Sequence, residues 1–398
     1  MNNYIRHFIL ALCTFLLCPA VSCKKENGAS LPKYGEDVVF TANTAGSQAE
    51  AKAQYSGTIT TGEDGRKKEY ILWESGDVLR IYCAECSAPT TETYGGRDHW
   101  SDYVVDRESA STQASISVKP GQVGLRWGAS DTQHTFYSVF PSPSTAGKSA
   151  DVFFSKGKNL VGNIPQIQLI DGDLISETID EKTITTAKPD LSGMYMVGRT
   201  SVTPNNLPED KSVLINYIPI TTVLEFTITK GTDTEDEIEY VALESAGHHL
   251  YGTFGADLEN WTPSTSGAYT YPVCTDLTSV SDGSTKSRVR IDFSGESAGD
   301  VTISKAKSLK FTFLLLPVTP TGTVTDVDDL TFIIKKKGVT KTLTTKLSYS
   351  SGEGISFPTH KKSYISGVFV PDGAQWVINY APVVTPWVEV EGDSAEIK

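Results

Sequence analysis

The sequence predicts an all-β protein built from antiparallel β-sandwich domains, and three observations lead there. Apolar residues recur at every second position: Val289, Ile291 and Phe293 alternate with Arg290 and Asp292, and Leu309, Phe311, Phe313 and Leu315 alternate with Lys310, Thr312 and Leu314. That is the period of a strand with one buried face. Glycines punctuate the pattern at Gly231, Gly252, Gly283, Gly322, Gly338 and Gly352-Glu353-Gly354, where turns reverse the chain. No stretch beyond residue 22 carries apolar residues at helical spacing, and the composition favours Thr, Ser, Val and Tyr. Sheets with one apolar and one polar face are antiparallel and bury the apolar face against a second sheet. At 398 residues the chain suits two such domains in tandem, each long enough to bury a core.

In chain order, the first element is a signal. Asn2 to His7 carries one Arg and no acid, an apolar run from Phe8 to Leu17 follows, and Pro19 and small residues lead into Cys23. The run is too short to cross a bilayer and has the layout of a secretory signal peptide over residues 1–22. Ala20-Val21-Ser22-Cys23 resembles a lipobox, the bacterial signal at which a peptidase cuts before a cysteine bearing diacylglycerol; Ala20 stands where Leu is commoner. Cys23 is therefore the candidate lipidation site, and the expected location is the outer membrane or cell surface. Acyl chains worth roughly 0.8 kcal/mol per buried methylene make two or more of them a firm anchor. An ordinary signal peptide with an incidental cysteine is the alternative. Residues 23–34 read as a tether; its Lys24-Lys25-Glu26-Asn27 is similar to the short charged export signals of Bacteroidetes surface lipoproteins.

Residues 35–205 are expected to form the N-terminal domain and 206–398 the C-terminal one. The polar stretch Thr203 to Pro208, broken by Pro204 and Pro208, marks the boundary. Val38 to Ala42 reads as the first strand. Cys86 to Asp102 and Ser142 to Leu191 read as loops, where binding residues commonly sit. Leu214 to Ile220 and Val223 to Ile228 read as a pair of strands, Leu343, Leu347 and Tyr349 as one face of another, and Tyr364 to Val370 as one more.

The formal charge is -13, and losing Arg6 with the signal leaves -14. Such a chain repels nucleic acid and carries no basic stripe to bind it. Of six cysteines, Cys13 and Cys18 leave with the signal and Cys23 is the lipid site; the remaining Cys83, Cys86 and Cys274 are too few and odd in number for a disulfide framework. Cys83-Ala84-Glu85-Cys86 lacks the second ligand pair of a zinc site and the βαβ context of a thioredoxin motif, which leaves a local disulfide or two thiols at a strand end. His248-His249 with Glu244 sits on a strand and turn, not on the helix that metalloproteases need. Asp326, Asp328 and Asp329 lack the spacing of an EF-hand loop. No nucleophile elbow, phosphate loop or dinucleotide fingerprint is present, and no two carboxylates are placed as a glycosidase pair. No enzyme activity, metal or cofactor is expected.

Tyr70 to Tyr82, Y-I-L-W-E-S-G-D-V-L-R-I-Y, resembles the W-x-x-G-D strand of the fimbrillin-like proteins of Bacteroidales, with Trp73, Gly76 and Asp77 at the fixed positions. Ala51 to Gly57 is similar to that family's upstream K-T-x-Y-S-G strand, and Phe136 to Pro141 to its F-Y-A-x-Y-P strand. Ile164 to Gln168 resembles I-P-x-x-Q, Gly193 to Val197 resembles L-M-Y-A, and Lys362 to Pro371 resembles the closing G-K-x-Y-x-x-x-V strand, with Lys361-Lys362 in place of Gly-Lys. The matches run in family order over nearly the whole mature chain. From the residues alone, Trp73 suits a core indole and Gly76-Asp77 a turn or bulge that re-aims the strand.

The resemblance implies two transthyretin-like sandwiches and a subunit of type V pili, used in adhesion, that travels as a lipoprotein. A protease specific for Arg or Lys then removes the first strand, and the groove accepts a strand from the C-terminal tail of the next subunit. Strand addition of this kind gains a ladder of backbone hydrogen bonds and buries alternate side chains. Val38 to Ala42 is the candidate removable strand, and Lys52, Arg66, Lys67 and Lys68 are the candidate cleavage residues, the last three next to a polar glycine-flanked loop. Ala374 to Lys398 is the candidate donor, with Trp376, Ile378 and Tyr380 alternating and Val384, Trp387, Val388 and Val390 following. The plain alternative leaves both segments as edge strands of their own domains. The expected partners are other pilus subunits, the membrane through the lipid, and host or bacterial surface ligands. A competing reading is a glycan-binding surface lipoprotein or adhesin that does not polymerise, with Tyr94, Trp100 and Trp127 of the long loops stacking on sugar rings, although burial in a core explains Trp127 equally well.

Overall fold

A computed structural model describes residues 31–44, 54–55, 60–61, 67–68, 71–87, 99–106, 111–142, 153–155, 159–208, 210–245, 249–261, 272–278, 287–296, 301–317, 330–340, 342–347, 362–370, 373–379 and 395–396. Among these the chain is strand throughout, apart from turns and two single 3-10 turns, Leu191–Gly193 and Pro204–Asn206. No described helix is long and apolar enough to cross a membrane.

The C-terminal half forms the expected sandwich. One sheet centres on Thr222–Lys230, flanked by Lys307–Leu315 and Lys362–Val370; the facing sheet centres on Asp236–Ser245, flanked by Ser287–Asp292 and Thr331–Lys336. Between them lie Leu224, Phe226 and Ile228, Val241 and Leu243, Val289 and Ile291, Phe311 and Phe313, and Phe332 and Ile334. Each set has the period-two spacing read in the sequence, because alternate side chains of a strand point to the same face.

The N-terminal half differs from expectation. Seven strands close into a barrel in the order Val39–Asn43, Ser212–Pro219, Met196–Val202, His134–Phe140, Val78–Tyr82, Trp100–Val105 and Gln113–Val118. Val39–Asn43 closes it, lying parallel to Ser212–Pro219 and antiparallel to Gln113–Val118. The sheets are also not purely antiparallel. Thr222–Lys230 runs parallel to Lys362–Val370, and Lys182–Thr186 runs parallel to Lys307–Leu315. Parallel partners are far apart in sequence and leave no turn signature, so alternation alone could not reveal them.

Three more expectations are corrected. The region from Ser142 to Leu191 is not loop: it supplies strands Phe153–Ser155, Asn159–Ile164, Ile167–Gln168, Ile175–Ile179 and Lys182–Thr186, which join sheets of the C-terminal half. The alternation Leu160, Gly162, Ile164 was hidden by its glycine, where a Cβ would lie 2.5 Å from Cζ of Phe254. Trp100–Val105, at the end of the other expected loop, is strand as well. Ser212–Pro219 and Thr222–Lys230 do not pair with each other; the first belongs to the barrel and the second to the sandwich.

The meeting of three cores explains an apolar run that strict alternation does not. Phe313 and Leu315 face the sandwich core, Leu314 the barrel core, and Leu316 a third cluster with Tyr137, Val139, Tyr195, Phe254 and Trp261. That cluster packs the sheet containing Asn159–Ile164 and Gly252–Asp257 against the outer face of the barrel. Barrel, outer sheet and sandwich belong to one compact unit spanning Pro32–Lys398.

Candidate functional site

The first strand is held on both sides. Phe40, Thr41, Ala42 and Asn43 stand opposite Ile116, Ser115, Ala114 and Gln113 on one flank, and Val213, Leu214, Ile215 and Asn216 on the other. Val38, Phe40 and Ala42 point into the barrel core, while Val39 is 54% exposed. The Phe40 ring meets Tyr103 and Phe136 edge to face, with centroids 5.0 and 5.1 Å away, a favourable aromatic geometry. Asn43 Nδ2 donates to Asn216 Oδ1 at 2.8 Å, and Thr44 Oγ1 donates to Ile71 O at 2.5 Å. The lead-in is laced to a neighbouring strip: Gly35 N–H donates to Trp127 O, Trp127 N–H to Glu36 O, and Val38 N–H to Leu125 O. Arg126 Nε lies 3.3 Å from Asp37 Oδ1.

This strand has a chemistry of its own. Loss of Val39–Asn43 would expose an unpaired row of backbone donors and acceptors on each flank, with a slot between them lined by Tyr103, Ile116, Phe136, Val213 and Ile215. Such a slot selects an extended segment with apolar residues at alternate positions. Sequence reading identified the strand but not its flanks, since Tyr103, Phe136 and Ile215 lie at ordinary core positions of distant segments.

The Trp73 motif supports the same barrel. Trp73 is fully buried between Phe140 and Tyr217, with ring centroids at 5.4 and 5.0 Å. The chain then turns: Asp77 N–H donates to Glu74 O, the Asp77 carboxylate accepts Glu74 N–H at 2.8 Å, and Gly76 has φ +91°. Val105 N–H donates to Asp77 O, and Gly76 N–H to Val105 O, so the turn registers the next strand. Gly76→Ala places a side chain in a backbone region it rarely adopts. It is expected to cost about 1–2 kcal/mol of stability, read from the urea midpoint, while Ser75→Ala next to it stays within about 0.5 kcal/mol.

The donor residues are divided. Trp376 and Ile378 lie on Gly373–Asn379, which pairs antiparallel with Lys362–Val370 in the chain's own sheet; Trp376 stands opposite Gly367 and Ile378 opposite Ile365. Tyr380, Val384, Trp387, Val388 and Val390 lie outside the described residues, as do Cys23, Lys52 and Arg66. Lys67–Lys68 pairs with Thr60–Thr61 as a short hairpin.

Other candidates resolve as follows. Trp127 is not a loop aromatic open to sugars; it is 1% exposed and packs edge to face on His134 and Phe136. Trp100 is partly buried under the Arg80 guanidinium, 3.5 Å from the ring centroid, and Tyr94 lies outside the described residues. Arg80 also pairs with the buried Asp102 carboxylate at 2.8 Å, which Ser142 Oγ and Gln122 Nε2 hydrogen-bond as well. Glu244 pairs with Arg288, while His249 Nδ1 lies 2.5 Å from Asp276. The Asp276 carboxyl is pushed up by burial, but hydrogen bonds from Thr278 and the His249 contact outweigh this and hold it below its usual value. His248 and the aspartates at 326, 328 and 329 lie outside the described residues. Among the described residues no three His, Cys, Asp or Glu side chains gather as a metal site. Cys83, Cys86 and Cys274 are buried and unbridged.

No family model matches the chain, and no curated protein matches it. Solved structures similar to it are fimbrial and adhesion proteins. One is a protein of proposed cell-adhesion function from Bacteroides uniformis, at 12% identity, covering 86% of this chain and 97% of that one, with a TM-score of 0.47. A fimbrial assembly protein from Parabacteroides distasonis shares 10% identity over 87% of this chain and 95% of its own, with a TM-score of 0.35. The fimbrial anchor protein Mfa2 from Porphyromonas gingivalis shares 12% identity over 88% and 98%, with a TM-score of 0.29.

Proposed function

We propose that this protein is a fimbrillin-like surface lipoprotein, a subunit of a type V pilus that assembles by exchange of its first strand for a strand of another subunit. The observation that carries the reading is the placement of Val39–Asn43, paired on both flanks and filling the barrel core with Phe40. A segment with basic residues Lys52, Arg66, Lys67 and Lys68 follows it, so one cut there would sever the covalent link between this strand and the other six strands of the barrel. The ordered sequence motifs supply the second support. On this reading Cys23 carries the lipid, the barrel and sandwich correspond to the two transthyretin-like units, and the protein acts in adhesion rather than catalysis.

The strand Gly373–Asn379 is then the resting place of the first part of a tail whose Val384, Trp387, Val388 and Val390 would enter a neighbour's slot together with Trp376, Ile378 and Tyr380. Trypsin-class digestion of the purified full chain is expected to yield a ladder of SDS-resistant oligomers, lost when residues 381–398 are deleted. A ladder unchanged by that deletion would sink the donor role. The N-terminus of protein recovered from native cells tests maturation separately. An acylated Cys23 marks a permanent anchor, and a start after Lys52 or Lys68 marks a processed subunit.

A further inference from the structure

Cys83 and Cys86 are the two ends of a four-residue turn that leaves strand Val78–Tyr82. Cys86 N–H reaches Cys83 O at 3.4 Å. A turn closed in this way brings its end Cα atoms within about 7 Å, and disulfides span Cα separations of roughly 4.4–6.8 Å. The Cys83 thiol donates to the Glu85 carboxylate at 3.3 Å, and both cysteines belong to the barrel core, whereas Cys274 lies in the cluster beneath the outer sheet. The turn is pinned all round. Cys83 N–H donates to His99 O at 2.9 Å, Thr135 N–H donates to the Glu85 carboxylate at 3.1 Å, and Ser87 N–H donates to Arg126 O at 3.0 Å.

We propose that Cys83 and Cys86 are a disulfide site, oxidised as the chain folds by a disulfide-class oxidant such as an oxidised dithiol oxidoreductase. One cysteine thiolate attacks a sulfur of the oxidant's disulfide, displacing the other as a thiol; the second cysteine then attacks the mixed disulfide and releases the oxidant as a dithiol. The protein loses two S–H bonds and gains one S–S bond, and two electrons and two protons pass to the oxidant. The step belongs to folding, because the closed barrel buries both sulfurs. Burial first, then the hydrogen bond and charge of Cys86 and the Glu85 carboxylate, push the Cys83 thiol far above its ordinary range, so thiolate is scarce once the barrel has formed.

The bond has a structural reach. Arg126 is bridged on one side to Ser87, next to Cys86, and on the other to Asp37, in the lead-in to Val39–Asn43. Locking the turn therefore stiffens the strip that holds the first strand's lead-in; this consequence bears on strand exchange only under the function proposed above, while the disulfide itself does not depend on it.

The test is peptide mapping by mass spectrometry of the full chain folded after export to a periplasm, denatured in the presence of N-ethylmaleimide. Among Cys83, Cys86 and Cys274, the expected result is a Cys83–Cys86 cross-linked peptide with maleimide on Cys274, and maleimide on all three of them after reduction. Alkylation of Cys83 and Cys86 in the exported, unreduced protein, or a link from either to Cys274, would overturn the proposal. A sample folded in the cytoplasm should resist oxidised glutathione while native and form the link after unfolding and refolding in it. The Cys83→Ser, Cys86→Ser pair should exchange the Gly35 and Val38 amide protons severalfold faster than the oxidised protein. Exchange unchanged by the pair would overturn the stiffening, and should the pair not fold, wild type unfolded and refolded in dithiothreitol serves for that comparison.

Discussion

Truncating Phe40 to alanine is expected to lower stability by about 3–5 kcal/mol, the usual cost of emptying a buried phenylalanine site. Phe40 is 1% exposed and fixed between Tyr103 and Phe136 by two edge-to-face contacts. The surrounding strands are held in register by their own ladders, so the site has little freedom to collapse. Denaturant unfolding reads the loss, and Val39→Ala on the same strand, pointing outward, is expected to stay within about 0.5 kcal/mol. A Phe40→Ala loss under 1 kcal/mol would mean that the strand contributes little to the barrel.

The same packing bears on what a proteolytic cut can do. Cleavage between Thr44 and Ile71 removes no contact made by Val39–Asn43, whose two flanking ladders and Phe40 packing remain. The nicked wild-type piece is therefore expected to co-elute with the rest of the chain under native conditions and to separate in denaturant. The nicked Phe40→Ala piece should leave in milder denaturant. Under the proposed function, exchange would be a competition in which an incoming strand must match the hydrogen-bond ladders already present, and cutting would untie the strand rather than expel it.

How much of this was legible depended on which partners the chain recruits. The sandwich could be read because Leu309, Phe311, Phe313 and Leu315 bury one face and their partners lie in similarly alternating strands. Leu314 and Leu316 broke the pattern because three cores meet at that stretch, a fact about distant packing that no local window contains. The alternation of Val38, Phe40 and Ala42 marked a strand, yet its parallel partner begins at Ser212, and the barrel closure that follows has no sequence signature. The Gly76-Asp77 turn was readable from residue chemistry, since a positive φ and a side-chain acceptor are local demands. Trp127 looked like a loop aromatic because its neighbours, Gly124 and Gly128, lack strand character. Its ring packs on His134 and Phe136 in the barrel core, while its backbone bonds to Gly35 and Glu36 of the lead-in.

Lys362→Met is expected to cost about 3–5 kcal/mol near neutral pH, because it strands a buried charge. Lys362 is 1% exposed on its side chain and sits 2.9 Å from Glu225 Oε2, while Lys310 reaches Glu225 Oε1 at 3.1 Å from the other side. Burial alone would push the Glu225 carboxyl up. The charges of Lys362 and then Lys310, with their hydrogen bonds, outweigh it and hold the carboxyl below the usual glutamate range. A carboxyl whose folded pKa is depressed contributes stability that is complete above its unfolded pKa and is lost as pH falls through the folded one. Wild type should therefore lose stability on acidification below the ordinary glutamate pKa. In Lys362→Met that acid slope should shrink, since burial is then opposed by Lys310 alone. Replacing both partners, Lys362→Met with Glu225→Leu, should recover more than half of the loss, because removing a buried pair together leaves no unpaired ion. Unfolding at neutral and acidic pH measures all three, and a single variant within about 1 kcal/mol of wild type at neutral pH would refute the assignment. The position matters for the tail as well. Lys362 opens the strand that pairs with Gly373–Asn379, at the end away from the Val370 and Gly373 pair. Loosening it should speed amide exchange at Trp376 and Ile378 first, residues that a neighbouring subunit would have to capture under the proposed function.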